Sequence, residues 1–247
     1  MPIIKPFRRT YRPFVTGHRN EHQTHYILDD RFADDPRHYI RAFKVIEKDM
    51  LEIFDYVEPD DRNEGCYSFR IHELHMRTCI EVEANCKAIL SENKYLKKTD
   101  LNMDDYKKLD ATHKLSEYAV KFPIWRGNNN VRRPFSAWAS GNNKLAWYQA
   151  YNAAKHDRHN EFERANFQNV LQAISALIVL LSSQFYTNDF GNVDYLVGDY
   201  GDQHGFIPVA TGGYLLVKFP QWPDADRYAF DWEKLKNEPE PFGILQF

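Results

Sequence analysis

The chain has 247 residues, of which 43% are hydrophobic and 27% are charged. A chain of this length and composition can bury a full hydrophobic core, which excludes the disordered and fibrous classes of protein. The net charge of -3 gives the molecule no overall attraction for nucleic acid. Any binding of RNA therefore has to come from a local cluster of cations.

The apolar runs and the cysteines predict a cytoplasmic protein with no membrane partner. The longest apolar run, 173–181, is interrupted by Ser175 and is much shorter than the roughly 20 residues that a helix needs to cross a bilayer. Residues 1–14 contain charges but no continuous apolar stretch, unlike a signal peptide. Cys79 and Cys86 are too far apart on a predicted helix to form a disulfide, and free thiols are typical of a reducing compartment.

Residues 1–30 are predicted to form a basic N-terminal arm. Prolines at positions 2, 6 and 13 keep the backbone extended. The first twenty residues contain no acidic side chain, and their cations are Lys5, Arg8, Arg9, Arg12 and Arg19.

A helical bundle is predicted to follow over 31–190. Asp35 and Pro36 indicate the start of a helix over 36–57, because proline is favoured at the first helical position. A second helix is predicted over 68–92. In both segments apolar residues recur at helical spacing, so we expect the two helices to pack together as an antiparallel pair.

The longest helical stretch is predicted over 144–190, because this range contains neither proline nor glycine. We divide it into helices over 144–158 and 161–188. Asn160 and Glu163 have the spacing of a capping box, in which each side chain bonds a free backbone amide of the other residue. This spacing predicts that the second helix starts at Asn160.

The regions outside the long helices are predicted to be less regular. Within 93–143 we expect a short helix near 104–109, an extended stretch over 117–125 and then a loop rich in glycine and asparagine. The C-terminal region, 191–247, contains two short β patterns over 206–210 and 214–219, joined by a glycine turn typical of a hairpin. The predicted fold class is mainly α: a bundle of at least four helices, with a small C-terminal β-hairpin region and an aromatic tail packed on it.

The segment 147–158 contains the most informative motif of the chain. On a helix, Asn152, Lys155, His156 and His159 share one side. The first interpretation is that these cations bond the last carbonyls of a helix and complement its dipole. The second is that they form a functional polar face.

The motif Asn-x-x-Lys-His-Asp at 152–157, followed by a long apolar helix, resembles bacterial members of the HEPN superfamily (higher eukaryotes and prokaryotes nucleotide-binding). The resemblance covers the helical layout of about 35–186. It implies a helical bundle that often forms a homodimer, in a superfamily that includes ribonucleases of toxin–antitoxin and defence systems. Active members carry an arginine a few residues before the histidine, and no arginine stands at that spacing before His156.

The resemblance also implies roles for particular side chains. A metal-independent endoribonuclease needs a proton acceptor near the 2′-hydroxyl and cations at the phosphate. The candidate catalytic residues are His156 and His75, with Arg70 at the spacing of an arginine–histidine pair on the same predicted helix. The candidate residues for holding RNA or phosphate are Asn152, Lys155, Arg158, Arg126, Arg132 and Arg133.

A loop over 122–135 mixes cations with aromatic residues, as stacking platforms for nucleotides do. The same pattern is typical of a surface loop held in place by Trp125 and Phe135. Three consecutive asparagines in this loop suggest that it moves unless it is packed against other residues.

Histidines recur at His-x-x-His spacing in three places, which are His22/His25, His72/His75 and His156/His159. Such a pair places two imidazoles on adjoining turns of a helix, so a metal site is a hypothesis for this chain. The pairs lack a definite fourth ligand, however, and we expect no tightly bound metal and no cofactor.

Three hypotheses for the function therefore stay open. The first is a HEPN-like RNA-associated protein, either an active ribonuclease or a degenerate member of a defence or toxin–antitoxin system. The second is a non-catalytic helical module for interaction or dimerisation, and the third is a metal-binding bundle.

Overall fold

The computed structural model describes residues 1–21, 23–142, 144–190, 196, 204–208 and 214–247. Within these residues the chain is mainly α-helical, as predicted, with eight α-helices and one sheet of four short strands. The helices are α1 (Pro36–Phe54), α2 (Phe69–Glu92), α3 (Met103–His113), α4 (Ser136–Ala139), α5 (Ala146–His156), α6 (Arg158–Glu161), α7 (Phe167–Phe185) and α8 (Trp232–Leu235). The strands are β1 (Ala119–Lys121), β2 (Val131–Arg132), β3 (Ile207–Pro208) and β4 (Leu216–Lys218).

Helix α7 is the centre of a bundle in which it packs against α1, α2 and α5. Of its 19 residues, all but Gln168, Asn169 and Gln172 are buried. The Ser175 hydroxyl is satisfied inside the helix, where it donates to the Leu171 carbonyl at 2.7 Å. Burial on every side explains why this helix is apolar all round.

By length and composition alone, α7 could also cross a membrane, and it is the one helix of the described residues that could. Within the fold, 83% of that apolar stretch is buried. The core helix of a bundle has the same length and composition, so this property does not indicate a membrane.

The chain between α5 and α7 differs from the prediction. The Asn160 backbone N–H donates to the Asp157 side chain at 3.3 Å, so Asp157 caps the short helix α6. The next long helix begins only after Asn166, whose side chain accepts a hydrogen bond from the Asn169 N–H at 3.1 Å. The prediction of a helix start at Asn160 is therefore wrong by about one and a half turns.

Contacts that are remote in sequence explain this shift. A 3-10 turn over Phe162–Arg164 carries the Phe162 ring to the start of α2, where its centroid lies 4.9 Å from that of Phe69. The Phe167 N–H then donates to the Cys66 carbonyl at 2.7 Å. These contacts fix a turn where the local pattern favoured a helix.

The basic N-terminal segment packs on the rest of the chain. Phe14 forms a parallel bridge with Tyr228 of the C-terminal region. Arg9 is fully buried, and its guanidinium donates to the Gln184 side-chain oxygen at 3.0 Å and pairs with Glu92. Arg9 is thus engaged inside the fold.

The four strands form an antiparallel sheet in the order β2-β1-β4-β3. Ile207 on β3 lies opposite Val217 on β4, which confirms the predicted strand pairing, while its glycine turn at 211–213 lies outside the described residues. Val217 also lies opposite Val120 on β1. The sheet therefore joins the C-terminal region to the middle of the chain.

Candidate functional site

A groove of about 460 Å³ lies between one face of α2 and the segment where α5 ends and α6 begins. We call it the α2–α5 groove. The wall formed by α2 contains residues at helical spacing, which places them on one face. These are His72, Met76, Ile80 and Glu83, and the opposite wall contains Tyr151, Ala154, Lys155 and Arg158.

The end of α5 sets the position of the two cations in this groove. Helix α5 stops at His156 because Asp157 leaves the helical conformation, with φ -137° and ψ 64°. The side chain of Asp157 then caps α6. Lys155 lies in the last turn of α5, and Arg158 is the first residue of α6. Both side chains line the same groove.

Lys155 is a charged group held by an aromatic neighbour. Its Nζ atom donates to the Tyr151 hydroxyl at 3.2 Å and lies 5.1 Å from the centroid of that ring. The hydrogen bond to Tyr151 raises the pKa of Lys155, and the charge of Glu83 in the same groove acts in the same direction, so the ammonium stays charged at neutral pH. The carboxylate in the groove, Glu83, accepts a hydrogen bond from the Tyr148 hydroxyl at 2.9 Å. Within the described residues Lys155 forms no ion pair.

Arg158 is exposed and also lacks an ion pair among the described residues. Its guanidinium carbon lies 5.9 Å from the centroid of the Phe69 ring. The guanidinium is positively charged at every physiological pH. This end of the α2–α5 groove therefore has a positive charge that the neighbouring side chains leave uncompensated.

His72 lies next to this charge. Burial lowers the pKa of its imidazole, and the nearby Arg158 lowers it further, while the Ala154 carbonyl acts in the opposite direction. The Nε2 atom is buried and makes no hydrogen bond of regular geometry. His72 is therefore neutral at neutral pH, and a neutral imidazole can accept a proton.

The structure divides the polar face that the sequence predicts on α5. Lys155 lines the α2–α5 groove, whereas Asn152 and His156 do not. Asn152 is half-buried, and His156 is exposed with no hydrogen bond or ion pair to any described residue. The described part of the chain thus places no arginine in contact with His156.

Arg70 and His75 lie on different sides of α2, as a five-residue spacing on a helix requires. The His75 ring is fully buried, with its centroid 6.4 Å from that of Tyr151, and neither ring nitrogen has a hydrogen bond of regular geometry. Burial lowers the pKa of His75 to about 4. The Arg70 guanidinium is exposed and lies 3.8 Å from the Glu73 carboxylate. The two side chains therefore do not converge on one exposed site.

One carboxylate makes several of the hydrogen bonds that hold the 122–135 loop. Asp61 accepts hydrogen bonds from the indole Nε1 of Trp125 at 2.6 Å and from the backbone N–H groups of Asn128 and Asn129 at 2.8 and 3.1 Å. These bonds lower the pKa of Asp61. Gly127 has φ +113°, and a Cβ there would overlap the Asp61 carboxylate. The loop is therefore pinned to the segment that connects α1 and α2.

The cations of this loop have different surroundings. Arg132 is buried, pairs with Glu64 at 2.7 Å and has its guanidinium carbon 4.6 Å from the centroid of Trp125. Arg126 is exposed and lies 3.8 Å from Glu58. Arg133 is exposed, with no ion pair to a described residue. This geometry favours the interpretation of a loop held in place by its aromatic residues, and it leaves Arg133 as the one cation of the three without a carboxylate.

The described residues contain no group of three or more histidine, cysteine, aspartate or glutamate side chains arranged to hold a metal ion. His72 and His75 do share one helix, but His75 is fully enclosed. His22, a member of another His-x-x-His pair, lies outside the described residues. The metal hypothesis therefore gains no support from this part of the chain.

A second groove, of about 440 Å³, lies between α1 and α2, and we call it the α1–α2 groove. Ile53 and Leu74 line it, and Tyr56 on its rim is 84% exposed. Its charged lining residues are Asp49 and Glu52 on α1, together with Arg70, Glu73 and Arg77 on α2. Arg77 pairs with Asp49 across the groove, and Arg70 lies 3.8 Å from Glu73.

Sequence reasoning missed Phe69 and Phe162 at the end of the α2–α5 groove. Phe69 is 70% exposed. The sequence did contain a signal for this exposure, because Phe69 lies outside the apolar stripe of α2, which contains Ile71 and Leu74. Phe162 had no comparable signal, because its position depends on a turn that the local pattern did not predict.

Comparison with known proteins adds no relative to this description. No family model, no curated protein and no solved structure matches the chain.

Proposed function

We propose that the protein binds RNA through the α2–α5 groove and is a HEPN-like RNA-associated protein. The observation that carries this proposal is the pair of cations, Lys155 and Arg158, that line one groove and form no ion pair within the described residues. Phosphate contacts supply most of the sequence-independent affinity for nucleic acid. A local positive site of this kind is what a chain with a net charge of -3 needs in order to bind RNA.

Two histidines are candidates for proton transfer to RNA bound here. His72 lies within the groove as a neutral imidazole, whereas His156 stands between the two cations in the chain and does not line the groove. In metal-independent cleavage, a base removes the proton of the 2′-hydroxyl, whose oxygen attacks phosphorus and expels the 5′-oxygen of the next nucleotide, which takes up a proton. A histidine can perform either proton transfer, and the cations stabilise the charge on the phosphate.

The test of binding is the affinity for RNA as a function of salt. Replacing both Lys155 and Arg158 by alanine is expected to weaken binding at least tenfold and to reduce the slope of log K against log salt by about 1.4, since each phosphate contact to a single strand contributes about 0.7. The matched control replaces Arg41 and Lys48, two exposed cations of α1, and removes the same charge. Equal losses in both variants would contradict the proposed site.

The test of catalysis uses the same RNA. His156→Ala is expected to abolish cleavage. RNA affinity and melting temperature should stay close to those of the wild type, because the side chain is exposed and forms no hydrogen bond or ion pair with a described residue. His72→Ala tests the groove histidine in the same assay. Binding without cleavage by the wild-type protein would make this chain a non-catalytic RNA-associated protein.

A second candidate function is self-association, which the α1–α2 groove favours. An exposed Tyr56 beside an apolar floor is a feature of interaction surfaces. In a homodimer with a two-fold axis the same patch meets itself, so an exposed aromatic side chain at this position would contact its counterpart on the second copy. Tyr56→Glu is expected to convert a homodimer to a monomer in sedimentation analysis, and a wild-type protein that is monomeric at all concentrations would exclude this candidate.

A further inference from the structure

An aromatic cluster lies beside the cationic end of the α2–α5 groove. Phe69 is 70% exposed and Tyr67 is 53% exposed, and both contact the Phe162 ring, with centroid distances of 4.9 and 5.8 Å. Most phenylalanines of this chain are buried in the core. We call the three rings the Phe69 cluster.

The contact with Phe162 covers only part of Phe69, which is 70% exposed. Helix α2 is capped by Ser68, whose side chain accepts a hydrogen bond from the Ile71 N–H at 3.2 Å, so the helix cap does not need an aromatic residue. The exposed part of the ring contributes little to stability. Tyr67 and Phe69 both expose aromatic surface around Phe162, and a contiguous exposed apolar patch is a feature of surfaces that meet a ligand.

The neighbour of Phe69 indicates the chemistry of that ligand. Arg158 has its guanidinium carbon 5.9 Å from the Phe69 centroid and forms no ion pair within the described residues. Lys155 follows along the same wall of the groove. An exposed ring with adjacent unpaired cations offers a π-face for a base and positive charge for the phosphates on either side of it.

We propose that the Phe69 cluster is a stacking platform for an unpaired base and that the α2–α5 groove therefore takes single-stranded RNA in preference to a duplex. This inference rests on the proposed RNA binding and defines its substrate class. In a duplex each base is already stacked and its faces are covered, so a protein ring can stack only on bases of single strands, loops or ends. The phosphates are available in both forms, so the cations alone would not discriminate between them.

The experiment measures the affinity of fluorescently labelled oligoadenylate, both alone and annealed to oligouridylate. Phe69→Ala is expected to weaken binding of the single strand by about tenfold or more, in line with about 1–3 kcal/mol for one stacked base, and to leave duplex binding unchanged. Phe69→Tyr should retain wild-type affinity, because it keeps the ring. Leu96→Ala removes another large exposed apolar side chain, remote from the groove, and should have no effect.

The outcomes separate this inference from the proposed function. If Phe69→Ala binds the single strand as tightly as the wild type, while the Lys155 and Arg158 double variant does not, the stacking platform is excluded and RNA binding stands. Equal losses for single strand and duplex would also exclude the platform. If the wild-type protein binds neither form, both the inference and the proposed function are overturned.

Discussion

Two regions of this molecule combine arginine with aromatic side chains, and the structure uses them in opposite ways. In the 122–135 loop, Trp125 is buried and Arg132 lies between it and Glu64. At the end of the α2–α5 groove, Phe69 is exposed and Arg158 has no carboxylate partner among the described residues.

Composition alone therefore does not identify a nucleic-acid site. A cation that is buried and paired is not available to a phosphate, and removing it is costly because its partner loses the compensating charge. A cation that remains exposed and unpaired contributes little to stability and is available to a ligand. The two regions should therefore respond differently to substitution: the 122–135 loop in stability and the α2–α5 groove in binding.

The largest expected effect on stability is at Arg132. Arg132→Ala leaves the Glu64 carboxylate without its partner and removes the stacking on Trp125, so we expect a loss of about 3 kcal/mol in the free energy of unfolding. Arg133→Ala, at the next position, removes an exposed cation and should change the stability by less than about 0.5 kcal/mol. Urea denaturation measures both, and equal effects would remove the distinction between the two arginines.

A glycine of the same loop provides the next test. Gly127→Ala would place a methyl group against the Asp61 carboxylate at a φ that side chains rarely adopt, so we expect a loss of about 2 kcal/mol. Gly65→Ala is the matched control, because no atom lies within 4 Å of the added carbon. A Gly127→Ala protein as stable as the wild type would show that Asp61 does not hold the loop in place.

The buried His75 should make the free energy of unfolding depend on pH. The pKa of His75 is about 4 in the folded protein and near its ordinary 6.5 in the unfolded chain, so the unfolded state takes up the proton first as the pH falls from 6.5 to 4. Stability is therefore lost over this window, by about 2 kcal/mol between pH 7 and pH 5 from this group.

The measurement is the difference in free energy of unfolding between those two pH values. His75→Gln should reduce this difference by about 2 kcal/mol. His113, also buried with a pKa of about 4, would account for a remaining pH dependence. An unchanged difference in the His75 variant would mean that this ring is not enclosed.

The smallest expected effects on stability are at the groove cations. Lys155→Ala and Arg158→Ala should each change the free energy of unfolding by less than about 0.5 kcal/mol, since neither forms an ion pair with a described residue. Thermal denaturation at constant salt checks this. A loss similar to that of Arg132→Ala would show that Lys155 and Arg158, like Arg132, have partners within the fold.

Much of the fold could be predicted from the sequence. The long helices follow from apolar stripes, and the start of α1 at Pro36 follows from the preference of proline for a first turn. The exact start of α7 could not be predicted in this way. Asparagine is favoured at helix N-caps, so both Asn160 and Asn166 are possible starts of this helix. Contacts of Phe162 with Phe69 and of Phe167 with Cys66, which are remote in sequence, decide for Asn166.

The candidate site was predictable only in part. The motif on α5 pointed to Lys155, which lines the α2–α5 groove, but also to Asn152 and His156, which do not. The spacing of a helix places residues on faces and does not determine which face a neighbouring helix leaves open. The state of Arg132 depends on Glu64, a partner 68 positions away in the chain, and no local pattern could reveal it.

Hydrogen exchange with and without single-stranded RNA compares the two regions in one measurement. We expect RNA to slow amide exchange at the start of α2 and at the junction of α5 and α6, over 69–72 and 155–162, and to leave exchange in the 122–135 loop unchanged. Protection of the 122–135 loop alone would exclude the α2–α5 groove as the RNA site and would assign the phosphate-binding role to Arg126 and Arg133.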